Sequence, residues 1–345
     1  DGLYGAAAAE TGEESAVRAF DALSGELWGT VNSLVIDQSR RMGDLAIGRL
    51  QQADTVSRAL SNAKSSARES RNGWAIWGQG IGAWNRLAGD GNAARTTQSQ
   101  FGFITGLDAG IGDWRIGAAF GHGQNKVDIA TRGDRATVTS WTALAYVGGG
   151  WGDMRARVGA SYGWHRLDGK RTVSFPTYSE QLNGDGRSET ASAFGELSYG
   201  TRLGDALVEP FAGLTYVHLK SEGFSEQGGA AALTVDEVTR NVTFSTLGLR
   251  VGAVLPVSAE TAITPRISAA WLHGFGDRAG QGDYRLSNGQ AFGSAGLRVA
   301  RNSAAIEAGA QVNILPGGSL GLNYVGNISE RWKDHGLKLG FSYSF

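Results

Sequence analysis

The chain has 345 residues, of which 53 are glycine, 5 are proline and none is cysteine. The absence of cysteine excludes a disulfide scaffold and cysteine-based zinc or thiol chemistry, and the 5 histidines show no metal-ligand spacing. With 32 basic and 33 acidic residues the formal net charge is -1, so the chain lacks the basic footprint of a nucleic-acid-binding protein. We therefore expect no metal, no cofactor and no nucleic acid as partners.

Residues 1–72 form the first of two predicted units, and the part from about residue 15 to residue 67 has a helical pattern. The first residues show no basic flank and no long apolar core, so we expect a mature fragment that lacks a signal peptide. Leu27 and Leu34 recur at helical spacing, and Ser24 can cap the segment. The stretch 24–50 would be about 40 Å long at about 1.5 Å per residue, which is enough to thread a membrane-height pore. An amphipathic or coiled-coil helix on a soluble domain is the alternative.

Residues 73–345 change to the period of β-strands and form the second predicted unit. Phe101 and Phe103, and later Ile116 and Phe120, alternate with polar or small residues. No stretch approaches the roughly 20 consecutive apolar residues of a transmembrane helix, so a membrane crossing has to rest on strands. We predict about twelve strands of the kind that outer-membrane barrels use.

Tryptophans near the predicted strand ends are typical of the aromatic girdles at bilayer interfaces. Packing inside a soluble β-sandwich is the alternative, although its strands would be shorter, about 5–6 residues. The tryptophans in question are Trp74, Trp77, Trp114, Trp151, Trp164 and Trp271.

The connections between these strands alternate in length. Short turns are predicted at 112–113, 148–153, 204–205, 255–260 and 316–318. Long polar loops are predicted at 168–187, 221–238 and 276–299, with shorter ones near 87–96, 128–134 and 327–335. Outer-membrane barrels place short turns in the periplasm and longer loops outside the cell. The first strand should therefore begin on the periplasmic side, and a helix entering it from the pore should have its N-terminus outside.

Residues 335–345 alternate without a miss and are expected to be the closing strand. One face is wholly apolar and the other is small or polar, which suits a strand between lipid and a wet lumen. We expect this strand to pair with the first strand, near 74–84, and to place Phe345 at the periplasmic rim. The apolar face consists of Leu337, Leu339, Phe341, Tyr343 and Phe345.

Charged residues on the inward face of the predicted strands form a candidate site. A cation on the lipid face near the midplane would cost about 2–4 kcal/mol, which places these residues in the lumen. They are Arg115, Arg155, Arg157, Glu196, Arg250, Arg266, Glu307 and Lys338. They either hold the helix residues Asp37, Arg40, Arg41 and Asp44 by ion pairs or form a solvated lumen wall; an exposed pair would contribute under about 1 kcal/mol.

The predicted fold class is an all-β, up-and-down antiparallel transmembrane barrel of about twelve strands, with an N-terminal α-helix through its pore. A passive porin is one alternative function. A second is an outer-membrane hydrolase, because Gly159-Ala-Ser161-Tyr-Gly163 fits a nucleophile-elbow pattern and His165 lies nearby. The elbow needs a strand-to-helix turn, whereas Ser161 is expected in mid-strand.

Several segments carry a family resemblance in their order and spacing. They are the linker 22–45, Gly73-Trp-Ala-Ile-Trp-Gly-Gln79, Val208-Glu-Pro-Phe-Ala-Gly-Leu-Thr-Tyr-Val217, Thr264-Pro-Arg-Ile-Ser-Ala-Ala-Trp-Leu-His273 and residues 336–345. Together they resemble the translocator domain of classical autotransporters, the type V secretion proteins. The resemblance implies a non-enzymatic barrel that carries an N-terminal passenger to the surface of the bacterial outer membrane and is then plugged by its linker.

The same resemblance implies the partners. They are outer-membrane lipid, the chain's own passenger, periplasmic chaperones and the barrel-assembly machinery, and the barrel is expected to be a monomer. The assembly signal would be Leu339, Phe341, Tyr343 and the aromatic Phe345. Some members of the family cleave their own linker through an asparagine side chain, so the bond between Asn32 and Ser33 is a candidate for cleavage.

Overall fold

The alternating part of the chain forms twelve antiparallel strands that close into a barrel. The computed structural model describes residues 19–60, 73–89, 93–176, 178–258 and 261–345. The barrel strands are β1 Trp74–Leu87, β2 Thr96–Ile111, β3 Trp114–Ile129, β4 Asp134–Trp151, β5 Met154–Phe175, β6 Tyr178–Tyr199, β7 Ala206–Ser221, β8 Val238–Ala253, β9 Ala262–Gly276, β10 Asn302–Leu315, β11 Gly318–Ser329 and β12 Trp332–Ser344. Two short segments, Thr201–Leu203 and Leu255–Pro256, extend the pairing at the turn end.

The barrel closes between its last strand and its first. Gly78 of β1 is paired with Phe341 of β12, and Leu87 is paired with Trp332. Among the described residues, every barrel strand has hydrogen-bonded neighbours on both sides, so this pairing leaves the barrel without a free edge. The predicted fold class and the predicted partner of the closing strand are confirmed.

Large apolar side chains cover the outer surface. Phe101 and Leu322 are more than half exposed, while their sequence neighbours Gln100 and Asn323 face the lumen. Such a surface is stable only against lipid, because an exposed apolar area of this extent would be unfavourable in water. Trp77 is an exception to the predicted girdle, since it lies three positions from Trp74 and so faces inward.

The two ends of the barrel differ in their connections. Tight turns join β2 to β3 and β4 to β5, with Gly112 at a φ of 62° and Gly152 at a φ of 60°, values that favour glycine. We call this the turn end and the opposite one the loop end.

The long loop predicted at 168–187 is wrong. Strands β5 and β6 continue through this region and stay paired as far as Phe175 and Tyr178. The inward side chains Val173 and Leu182 are buried against Ala19, in the segment before the pore helix. The polar residues that indicated a loop lie on the outer face of this projecting hairpin.

Helix α1, Glu26–Leu60, lies inside the barrel. Its 35 residues extend about 52 Å at about 1.5 Å per residue, which exceeds the predicted length. Residues 19–23 are also helical, and Gly25 makes the break between the two segments with a φ of 68°. Ser24 differs from the predicted cap, because its hydroxyl donates to the Asp21 carbonyl. Among the described residues, no helix is both long and apolar enough to cross a bilayer.

A second, four-stranded sheet covers the loop end, and we call it the cap sheet. Its strands come from the loops between β7 and β8 and between β9 and β10. They are Phe224–Ser225, Leu233–Val235, Gly280–Leu286 and Ala291–Gly296. Leu233 and Tyr284 of this sheet are buried in one apolar cluster with Leu27 and Val31 of α1. The cap sheet therefore closes the barrel mouth around the start of the helix.

Candidate functional site

Helix α1 runs through the barrel from the loop end to the turn end. At the loop end the Glu26 carboxylate accepts the backbone N–H of Ala94 at 3.2 Å and pairs with Arg132 at 3.2 Å. At the turn end Asp54 pairs with Arg157, near the start of β5, at 2.7 Å. The N-terminus of α1 therefore faces the loops, which is the direction that the turn pattern predicted.

Trp28 anchors the upper part of the helix. Its ring lies against Gly169 and Gly184, where an added Cβ would come within 2.4 Å and 2.6 Å of ring atoms. Phe224 of the cap sheet meets the same ring edge-on, with centroids 4.7 Å apart. The indole N–H donates to Glu226 Oε1 at 2.8 Å, so this buried polar group is satisfied.

The carboxylate of Glu226 also joins the wall to the cap sheet. Arg171 of β5 donates to it through Nε at 3.0 Å and through Nη2 at 2.7 Å. The same guanidinium donates to the Ala22 carbonyl at 2.8 Å, and the Leu233 N–H donates to Glu226 at 3.0 Å. Because both charged groups are buried, loss of either one would leave the other unpaired.

Backbone meets backbone where α1 crosses the cap sheet. A Cβ on Gly29 would lie 2.0 Å from the carbonyl oxygen of Gly280 and 2.7 Å from the nitrogen of Gly296. Thr30 Oγ1 accepts the backbone N–H of Leu297 at 3.0 Å. Only glycine at these three positions allows this close contact.

Uncharged polar side chains hold the middle of the helix. Gln38 Oε1 accepts from Asn125 Nδ2 at 2.5 Å, and Ser39 Oγ donates to Thr190 Oγ1 at 2.8 Å. The ring of His165 lies 3.0 Å from the same threonine hydroxyl. These contacts connect α1 to β3 and β6 through buried hydrogen bonds.

The helix charges predicted to pair with the wall mostly pair with one another. Arg40 contacts Asp37 at 3.0 Å and Asp44 at 2.7 Å, and Arg41 contacts Asp37 at 2.7 Å. These residues are three or four positions apart on one helix, so their side chains lie side by side and pair with one another. Within the described part of the chain, Arg41 is the member of this group that also reaches a carboxylate of the wall, Asp334 of β12.

One buried charged contact between helix and wall involves two residues outside the predicted set. Arg49 binds the carboxylate of Asp108 through two hydrogen bonds of 2.7 Å and 3.0 Å. Arg115 contacts the same carboxylate, and the Tyr146 hydroxyl donates to it at 3.1 Å. Asp108 has an exposure of 0 %, so its charge depends on these partners.

A second buried network surrounds Arg157. Its guanidinium lies 2.8 Å from Glu196 and 3.1 Å from Glu209. Arg250 contacts both carboxylates and stacks over the Phe211 ring, 3.8 Å from its centroid. Through Asp54 this network also holds the lower part of α1.

The remaining predicted wall charges lie away from the helix. Lys338 pairs with Glu307 at 2.8 Å, from strand to strand. Arg155 donates to the Gly152 carbonyl at 2.8 Å, at the turn end. Arg266 lines a cavity together with Lys338 and Glu307.

That cavity shows that α1 is off-centre. Its empty volume, which includes space open to solvent, is about 1490 Å³. It lies between the helix and much of β8 to β12, and Arg41 reaches Asp334 at its edge. Both charged and apolar side chains line it, among them Asp44, Leu45 and Arg266. The lumen is therefore filled on one side by the helix and open on the other.

Sequence reasoning missed Asp108 and Asp334, although a signal was present. Asp108 lies between the outward residues Leu107 and Ala109, so strand alternation alone places it in the lumen. Arg49 and Asp54 gave no comparable signal, because their partners depend on how deep the helix sits.

Ser161 and His165 do not form a catalytic pair. Ser161 Oγ lies 2.6 Å from Ser192 Oγ, and His165 Nδ1 lies 2.8 Å from Ser140 Oγ. Their hydrogen bonds go to different partners, and Ser161 lies in mid-strand, where no elbow can form.

The predicted cleavage residues lie inside the barrel, and the predicted assembly residues lie on its outer surface. Asn32 and Ser33 are buried in α1, and neither Asn32 Oδ1 nor Ser33 Oγ has a hydrogen-bond partner among the described residues. The predicted assembly residues are exposed on the outer surface of the closing strand or next to it. They are Leu339, Phe341, Tyr343 and Phe345.

The sequence that forms this closed barrel matches a known protein family over most of the chain. The Autotransporter beta-domain family matches residues 76–325. The chain belongs to the autotransporter β-domain family. This β-domain is thus an outer-membrane translocator domain and not an enzyme.

The chain is also similar to individual proteins in sequence and in structure. An extracellular serine protease of Serratia marcescens is 31% identical over 326 residues, which cover 94% of this β-domain chain and 30% of that protein. The chain therefore spans less than a third of the curated relative's length. Among solved structures, the translocator domain of the autotransporter NalP from Neisseria meningitidis has a TM-score of 0.61 at 18% identity, covering 87% of this chain and 98% of that one. The beta domain of the Bordetella autotransporter Brka has a TM-score of 0.62 at 18% identity, covering 79% and 100%.

Proposed function

We propose that this β-domain delivers an N-terminal passenger to the cell surface and then keeps α1 in its pore as plug and tether. The observation that carries the proposal is the direction of α1, whose N-terminus lies among the loops beside Ala94 and Arg132. A passenger joined ahead of the helix would emerge at the loop end, which outer-membrane barrels place outside the cell.

Surface labelling tests this direction. An epitope fused ahead of residue 1 should be detected by antibody on intact cells. The matched control carries the same epitope in the β4–β5 turn at Gly152 and should be labelled only after the outer membrane is opened. Labelling of the Gly152 epitope on intact cells would reverse the orientation and contradict the proposal.

We also propose that the passenger is a serine protease, because the curated relative is described as an extracellular serine protease. The support comes from the relative and not from the barrel. Proteolysis by the full-length precursor, abolished by a serine-directed inhibitor, would support this assignment. A secreted passenger without such activity would contradict the assignment and leave the translocator function unaffected.

We propose that residues 1–72 and residues 73–345 have separate functions. The first unit would be the passenger remnant and linker, and the second the translocator. Support comes from the change of structure between the two units: the helix α1 lies in the lumen, and β1 is the first strand of the barrel wall.

Assembly of the barrel is proposed to depend on the aromatic face of β12, read by periplasmic chaperones and the barrel-assembly machinery. Phe341 and Tyr343 are exposed beside the closing seam. Phe341→Ser with Tyr343→Ser should lower the amount of barrel in the membrane, whereas Ser342→Ala on the inward face should not. Equal loss in both variants would contradict a specific signal.

Cleavage between Asn32 and Ser33 stays a prediction. The bond lies in the buried part of α1. In the proposed step Asn32 Nδ2 attacks the carbonyl carbon of Asn32, so that a succinimide ring forms, the Asn32–Ser33 peptide bond breaks and the Ser33 nitrogen leaves as an amine. Mass spectrometry of the membrane-bound protein decides it, since a new N-terminus at Ser33 supports cleavage and an intact helix contradicts it.

A further inference from the structure

A basic patch lies on the outer surface of the barrel at its loop end. Arg86, Lys126, Arg135 and Lys333 are exposed there and line one shallow depression across β12, β1, β2, β3 and β4. They lie on the lipid side of the wall, since the adjacent Asn85 faces inward and is buried.

Most of the positive charge of this patch has no carboxylate partner among the described residues. Arg86 of β1 lies directly opposite Lys333 of β12, and like charges at opposed positions destabilise an antiparallel pair. One ion pair belongs to the patch, between Arg135 and Asp128 at 3.7 Å. Among the described residues, no carboxylate pairs with Arg86, Lys126 or Lys333.

The height of the patch is set by aromatic residues below it. Trp84 precedes Arg86 by two positions on the same face, about 7 Å along the strand. Its ring contacts Phe101 edge-on, with centroids 5.9 Å apart. Because aromatic girdles mark the bilayer interface, the patch lies at headgroup height on the loop side, which is the outer leaflet.

We propose that this patch binds the phosphate groups of lipid A, the phosphorylated glucosamine lipid of the outer leaflet. The guanidinium of Arg86 suits bidentate binding of phosphate, and Lys333 and Lys126 supply point charges. Thr97 and Ser99 of β2 face the same surface and present hydroxyl donors. This goes beyond the translocator function, because delivery of a passenger requires no particular lipid.

Lipid titration of the full chain in detergent, followed by native mass spectrometry, tests the proposal. The probes are lipid A with two phosphates, lipid A without phosphates, phosphatidylglycerol and inorganic phosphate. The variant Arg86→Gln with Lys333→Gln should bind bisphosphorylated lipid A about tenfold more weakly than wild type, since two charge-assisted contacts are lost. The matched control, Arg166→Gln with Arg187→Gln, removes two exposed cations that lie directly opposite each other in β5 and β6, and it should bind like wild type.

Several outcomes would overturn the proposal. Equal losses in both variants would show only a general charge effect, and equal binding of phosphatidylglycerol would show an unselective anionic surface. Binding of inorganic phosphate as tight as that of lipid A would replace the lipid by a free anion. If the double variant does not fold, as judged by circular dichroism, Lys126→Gln is measured instead, and its unchanged binding would count against the site.

Discussion

Gly29 shows how the size of a single side chain decides the position of a helix. The backbone of α1 touches that of Gly280 and Gly296 there, so that even a methyl group would overlap a carbonyl oxygen. Gly48, on the same helix, has open space at the corresponding point. A larger side chain should therefore be tolerated at Gly48 and not at Gly29.

Gly29→Ala should destabilise the barrel by about 1–3 kcal/mol, because the added carbon overpacks a backbone contact. Gly48→Ala should stabilise it by up to about 1 kcal/mol, since alanine favours the helix and meets no neighbour. Thermal unfolding followed by circular dichroism measures both. Equal effects of the two variants would show that the crossing does not constrain the helix.

The buried carboxylate of Asp108 forms ion pairs with two arginines. Asp108→Ala leaves Arg49 and Arg115 without this buried carboxylate, and we expect a loss of about 3–5 kcal/mol. Glu237→Ala removes an exposed partner of Lys220, 3.3 Å away, and should cost less than about 1 kcal/mol. Urea unfolding in lipid vesicles compares the two, and similar midpoints would contradict the role of Asp108.

At the scale of elements, α1 changes its mode of binding along its length. Trp28 packs in an apolar cluster under the cap sheet, Gln38 lies among neutral polar groups, and Arg49 binds a buried carboxylate. The helix packs mainly against β3 to β7 and the cap sheet, and it leaves a cavity beside β8 to β12 that only partly separates it from those strands. Its closure of the pore therefore depends on the loop end, where cap sheet and helix meet.

Removal of the helix should open the pore. A variant without residues 1–70 is expected to conduct ions several-fold better than the full chain in planar bilayers, because the lumen loses its largest occupant. A variant without residues 1–18 keeps α1 and should conduct like the full chain. A modest change in the first variant would favour the passive porin instead.

The whole molecule separates lipid from lumen through the alternation of its strands. Leu322 and Asn323 are neighbours in β11, one facing lipid and the other the cavity beside α1. Leu322→Arg should cost about 2–4 kcal/mol, whereas Asn323→Arg should cost much less because the cavity is open and contains carboxylates such as Glu307. Unfolding in lipid vesicles tests the pair, and equal costs would contradict the assigned faces.

Much of this architecture was predictable from sequence, and the limits have physical causes. Strand alternation and turn spacing predicted the barrel, its closure and the direction of α1, because each depends on local periodicity. The pairing of Arg49 with Asp108 was not predictable, since it depends on the depth of the helix. The β5–β6 hairpin was mistaken for a loop because its outer face, which projects beyond the membrane, is polar.

The contact between Gly29 and the cap sheet limits what can pass through the barrel mouth. A chain with ordinary side chains could not move past Gly280 and Gly296 once they lie against the helix backbone, because each Cβ would overlap main-chain atoms. If a passenger crosses inside this barrel, as we propose, the cap sheet forms only after the last passenger residue has passed. A barrel with the cap in place would then be one that has completed its export.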